Sequence, residues 1–106
     1  MQGFENNHDY LSKKEIGKKV IEDKDQLLSQ ALNSHSAGNY AEAADYYQLF
    51  LDCGFSDQRV LSNYGVICIH LWNKDKSVEF FNQSIQEYPD YSSAYSNLAW
   101  LLSYRR

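Results

Sequence analysis

A fixed internal period constrains this chain more than any other feature. Leu61-Ser62-Asn63-Tyr64-Gly65 nearly returns as Tyr95-Ser96-Asn97-Leu98-Ala99, every position displaced by 34 residues. The displacement holds in a second stretch, where Asp45-Tyr46-Tyr47-Gln48 maps onto Glu79-Phe80-Phe81-Asn82 and Leu51 onto Ile85. One unit of this length is a helical hairpin too small to bury its own apolar face, so successive units must stack to make a core. The expected fold is all-α, built of antiparallel helical hairpins.

The apolar spacing places the helices. Leu27, Leu28, Ala31 and Leu32 recur at helical intervals, and Gly38-Asn39 closes that segment with a residue tolerant of positive φ. Tyr40, Ala43, Ala44, Tyr47, Phe50 and Leu51 share one face of the next helix, which Gly54 stops. So short a connection makes the two helices antiparallel. Ser56-Asp57 offers capping oxygens for a third helix carrying Val60, Leu61, Tyr64, Val66, Ile67, Cys68 and Leu71. That helix is apolar around much of its circumference and is expected to be the most buried. Trp72-Asn73 breaks it, with Asn73 either capping the next helix or taking a left-handed turn. A fourth helix carries Val78, Phe80, Phe81 and Ile85 and ends before Tyr88-Pro89-Asp90, where Asp90 is placed to cap the fifth. The last helix holds Tyr95, Leu98, Ala99, Trp100, Leu101 and Leu102, and Arg105 and Arg106 suit the negative end of its dipole.

Residues 1–22 form a separate polar segment. Met1 to Leu11 have no usable period and are expected to be loose. Ser12-Lys13-Lys14-Glu15 reads as a capping box for a helix with Ile16 and Val20 on one face, which Gly17 weakens; a short helix and disorder both remain open. Lys13, Lys14, Lys18 and Lys19 are read as a solvated face. The net charge of −4 argues against a generic grip on nucleic acid. No apolar run reaches the roughly 18–20 residues of a membrane span, and the N-terminus lacks the basic and apolar blocks of a secretory signal, so the expected location is cytoplasmic. Cys53 and Cys68 belong to no CxxC pair and are expected to be free thiols.

The arrangement resembles the tetratricopeptide repeat (TPR), whose pattern is W-x₂-L-G-x₂-Y, then A-x₃-F, then P. The first unit, residues 24–57, reads Leu27-x₂-Gln30-Ala31-x₂-Ser34 and Ala43-x₃-Tyr47, with Phe55 where Pro is usual. The second, residues 58–91, reads Leu61-x₂-Tyr64-Gly65-x₂-Cys68, Ser77-x₃-Phe81 and Pro89. A half repeat, residues 92–106, opens with Tyr95-x₂-Leu98-Ala99-x₂-Leu102. The resemblance implies a short TPR solenoid of about two and a half repeats over residues 23–106. Small residues at Ala31, Gly65 and Ala99 fit the close approach of the two helices of a hairpin. Departures fall in the second unit, where Trp72 replaces the usual turn Gly, Lys74 the usual Tyr and Ser84 a usual Ala, which puts its turn geometry in question.

The resemblance also implies a function. In this family the first helix of each repeat lines a concave groove. The residues expected to face it are Leu28, Leu32 and His35, then Ser62, Asn63, Val66, Ile69 and His70, then Asn97, Trp100 and Tyr104. Such a mixture suits an extended peptide or a partner helix, with Asn63 and Asn97 holding backbone amides. The family's carboxylate-clamp subgroup is rejected, because Leu28, Leu32, Ser93 and Asn97 stand where the clamp's basic and amide side chains belong. The chain also resembles the opening repeats of longer bacterial proteins of the family, some of which carry a glycosyl- or sulfotransferase domain, so a substrate-presenting or assembly module is the alternative.

Nothing points to catalysis. There is no Gly-x-Ser-x-Gly elbow and no phosphate-cradling Gly-rich loop. His35 and His70 lie near equivalent repeat positions, but two histidines without a third ligand make a poor metal site. Asp23 and Asp25 are explained as charge near a helix N-terminus. The expectation is a scaffold with no cofactor, no metal and no enzyme activity. Finally, the last helix opens a repeat whose second helix is missing, so Leu98, Leu101 and Leu102 are expected to lack cover. A second copy of the chain, a separate partner or further sequence of a longer protein are the candidates, and self-association as a homo-dimer is the first expectation.

Overall fold

A computed structural model describes residues 23–103. Among the described residues there are five α-helices and no strand: α1 (Lys24–Ser36), α2 (Tyr40–Asp52), α3 (Gln58–His70), α4 (Lys74–Glu87) and α5 (Ser92–Ser103). The Ser12–Glu15 capping box and the Ile16/Val20 helix lie outside the described residues, as do Tyr104, Arg105 and Arg106. The helices fall into two compact units, α1–α2 ending at Phe55 and α3–α5 starting at Ser56.

In the first unit Asp23 caps α1, its Oδ1 accepting the Gln26 amide at 2.9 Å. Asp23 and Asp25 thus serve the positive end of that helix. The turn into α2 is closed by two backbone bonds: Asn39 N–H donates to the Ser34 carbonyl at 2.9 Å and Gly38 N–H to His35 at 3.0 Å. Gly38 lies at φ +82°, a region in which a side chain is strained. Ala31 and Ala43 are fully buried beside Tyr47, Phe50 and Leu49, so small residues let the two helices approach while the aromatics fill the space between them. Phe55, standing where the repeat pattern has Pro, sets its ring edge-on against Phe50 at 5.5 Å.

The second unit begins with Asp57, whose carboxylate accepts the Arg59 amide and both sides of the Arg59 guanidinium, each at 2.9 Å. Buried positions on α3 are Val60, Leu61, Ser62, Gly65, Ile67 and Cys68, more than on any other described helix. Leu71 is an exception to the expected apolar set: α3 ends at His70, and Leu71 is exposed in the turn. The α3–α4 turn copies the α1–α2 turn 34 residues on. Asn73 N–H donates to the Cys68 carbonyl at 2.8 Å and Trp72 N–H to Ile69 at 3.1 Å. Asn73 caps α4, accepting the Lys76 amide. Trp72 therefore takes the left-handed position itself, at φ +62°.

The α3–α4 contact is the tightest in this unit. A Cβ placed on Gly65 would lie 2.5 Å from Cε1 of Phe81, whose ring is fully buried. The Ser77 hydroxyl donates to the Gly65 carbonyl at 2.8 Å, and Tyr64 stacks on Phe80 at 4.2 Å. Helix α5 packs on α4 and reaches α3 through Asn97, whose amide donates to the Ser62 hydroxyl at 3.2 Å. Because α5 begins at Ser92, Asp90 sits in the preceding turn rather than flanking the first helical residue.

Candidate protein-binding surfaces

The repeat register shows which side chains of the first helices stay open. Leu32, Val66 and Trp100 are one position seen three times at intervals of 34, and Leu32 and Val66 are half-buried while Trp100 is 53% exposed. In the second unit Asn63 and Asn97 are likewise equivalent and half-buried, next to half-buried Ile69 and exposed His70. This strip of α3 and α5 is apolar at Val66, Ile69 and Trp100 and amide-bearing at Asn63 and Asn97. An open apolar strip with convergent amide groups has the chemistry to hold a helix or an extended backbone.

Several expected groove residues are used inside the units. Leu28 is 5% exposed and Ser62 1%, so both are packing residues. Their apolar and small character gives no sign of this, since a groove wall and a core position select the same residue types. Ser62 is held by Asn97, which commits one amide hydrogen within the fold. His35 is half-buried: its Nδ1 lies 3.0 Å from the Tyr47 hydroxyl, and its ring stands edge-on to Tyr40 and Tyr47. Tyr47 is fully buried and this bond satisfies its hydroxyl, which gives His35 a structural task.

On α5 the exposed side carries Tyr95 (44% exposed), Ala99 and Leu102 (56%), with Leu98 half-buried. Leu101 corrects the expected self-association set. It is only 4% exposed and lies on the opposite side of the helix from Ala99, together with buried Ala94. No residue of α5 is charged.

Burial pushes the thiols of Cys68 and Cys53 up, with Asp52 adding to the effect at Cys53 and Lys76 opposing it at Cys68. A nucleophilic cysteine needs the reverse shift. Both cysteines are free thiols. Among the described residues no group of three or more His, Cys, Asp or Glu is placed to hold a metal ion. None of the described helices is long and apolar enough to cross a membrane.

The five helices and their 34-residue spacing support a tetratricopeptide-like architecture. No family model and no solved structure matches the chain. Among curated proteins it is similar to the photosystem I assembly protein Ycf3 of Rippkaea orientalis (strain PCC 8801 / RF-1), with 34% identity over 77 residues. That alignment takes in 70% of this chain and 44% of Ycf3, so the chain spans less than half the length of this relative.

Proposed function

We propose that this chain is a non-enzymatic protein-interaction module that holds a peptide or a partner helix during assembly of a larger complex. The observation that carries the reading is the partly open apolar strip of Val66, Ile69 and Trp100 in the second unit, flanked by the amides of Asn63 and Asn97. Within the second unit, the side chains of Val66 and Trp100 keep accessible apolar surface beside these amides, which a bound helix or extended segment would cover. Similarity to a protein named for assembly supports the same role. The partner is another polypeptide, bound through backbone amides and apolar side chains rather than through charge.

A displayed peptide library selected on the wild type tests this. Peptides that bind the wild type, lose binding to Trp100→Ala and Val66→Ser, and keep it with Glu79→Ala on α4 support the reading. Peptides indifferent to Trp100 and Val66, or no enrichment at all, overturn it.

A further inference from the structure

The turn between α3 and α4 holds a tryptophan in a left-handed conformation and exposes it. Trp72 lies at φ +62° and is 94% exposed, where the equivalent turn of the first unit has Gly38 at φ +82°. Leu71 beside it is 43% exposed. Both helices that this turn joins are present and packed on each other, so the exposure belongs to the hairpin itself. A strained residue whose side chain is left in solvent does nothing for the fold that glycine would not do better, which points to a use outside the fold.

We propose that Leu71 and Trp72 form a shallow anchor for an anionic lipid surface, with the indole at the depth of the headgroups. Three features favour lipid. First, the amides of Leu71, Trp72 and Asn73 donate to the carbonyls of Ile67, Ile69 and Cys68 at 3.0, 3.1 and 2.8 Å. The tip therefore enters a water-poor layer with none of these donors stranded. Second, the charge beside the tip is basic. Lys74 and Lys76 follow Trp72 with Asp75 between them, all three exposed, whereas acidic residues outnumber basic ones over the rest of the described chain. Arg59 is already tied to Asp57 at 2.9 Å. Lys76 reaches Glu79 at 3.6 Å, but in an exposed pair too weak to withhold it from an anionic surface. Third, a hairpin tip meets a flat surface without needing a pocket, and an indole, apolar with one N–H, settles at the boundary between headgroups and acyl chains. The contact is peripheral and lies outside the Val66, Ile69 and Trp100 strip. With two apolar side chains and two lysines it is expected to be weaker than the roughly 10⁴ M⁻¹ of a single myristoyl chain.

The test mixes the full chain with vesicles of phosphatidylcholine alone and of phosphatidylcholine with about 30% phosphatidylglycerol, up to about 5 mM lipid. Trp100→Phe leaves Trp72 as the only indole. Its emission is expected to move to the blue on the anionic vesicles and to be quenched by lipids brominated on the acyl chain. Trp72→Gly and Trp72→Asn, both suited to a left-handed turn, are expected to lower partitioning measured by co-sedimentation at least roughly tenfold. Lys74→Gln combined with Lys76→Gln is expected to lower it by roughly tenfold on anionic vesicles, and added salt to weaken it likewise. Circular dichroism checks that each variant keeps its helices. Trp72 emission unmoved at the highest lipid concentration overturns the proposal, as does equal binding to neutral vesicles. Binding that survives Trp72→Gly but is lost on neutralising Lys13, Lys14, Lys18 and Lys19 also overturns it, by placing the contact in the N-terminal segment. Library peptides that require Trp72, on a chain that ignores vesicles, give the tip to a polypeptide and overturn it too. Val66→Ser is expected to leave vesicle binding unchanged, so this proposal and the peptide reading fail separately.

Discussion

The Phe81 ring fills the place where a side chain on Gly65 would begin, with three ring atoms between 2.5 and 3.0 Å from an ideal Cβ. The equivalent pair in the first unit is Ala31 and Tyr47, both fully buried, so there the hairpin admits a methyl group and here it does not. Gly65→Ala is expected to destabilise the protein by about 1–2 kcal/mol, overpacking at this contact outweighing the gain in helix propensity. Urea unfolding measures it. Adding Phe81→Leu should make the Gly65→Ala step less costly, and additive losses would mean the two residues are not coupled.

Trp72 takes the left-handed turn position that Gly38 occupies one repeat earlier, with the same pair of backbone hydrogen bonds. For a residue with a Cβ this conformation costs roughly 1–2 kcal/mol. At 94% exposure the indole recovers little of that by burial. Trp72→Gly is expected to stabilise the fold by about 1 kcal/mol, the rest being lost to the greater freedom of glycine when unfolded. A lower thermal midpoint in this variant would refute the strain account.

Two buried serines on α4 should respond in opposite directions. Ser77 donates to the Gly65 carbonyl at 2.8 Å, whereas Ser84 Oγ is buried with no hydrogen-bond partner. Ser77→Ala is expected to cost about 1 kcal/mol and Ser84→Ala to gain about the same. Chemical denaturation of the two variants side by side decides it, and equal signs would contradict the assignment.

Stability should fall at alkaline pH. Burial pushes the Tyr46 phenol up, with the neighbouring carboxylates of Glu42 and Asp45 adding to it, and burial raises the Cys68 and Cys53 thiols. In each case the folded state holds its proton more tightly than the unfolded chain. The associated stability is fully present below the unfolded values, about 8.5 for a thiol and 10 for a phenol, and is lost as pH rises through the higher folded values. The thermal midpoint should be insensitive to these groups at neutral pH and decline above roughly pH 9. Tyr46→Phe should flatten the upper part of that decline; an unchanged slope would remove Tyr46 as a cause.

The helices and their turns are legible in the sequence because the residues that set them act locally. Gly38 and Gly54 supply positive φ, and Asp57 and Asn73 supply capping oxygens, with no help from distant parts of the chain. The small-residue contacts at Ala31 and Gly65 are legible from the 34-residue phase. Periodicity does not reveal which apolar side faces which neighbour. Leu101 and Leu102 are adjacent and chemically identical, yet one is buried and the other open, because α4 covers only one side of α5. The burial of Leu28 and Ser62 is hidden for the same reason. The turn at residue 72 keeps its geometry without glycine, because hydrogen bonds to the Cys68 and Ile69 carbonyls hold it whatever residue stands there.

The exposure of Trp72 also makes the protein its own optical gauge. The two indoles report from different surroundings: Trp72 emits from solvent at the end of a hairpin, and Trp100 from the half-covered strip on α5. With glycine at position 72 the remaining indole, excited apart from the tyrosines, watches that strip alone, so occupancy there is readable as a blue shift on unlabelled protein.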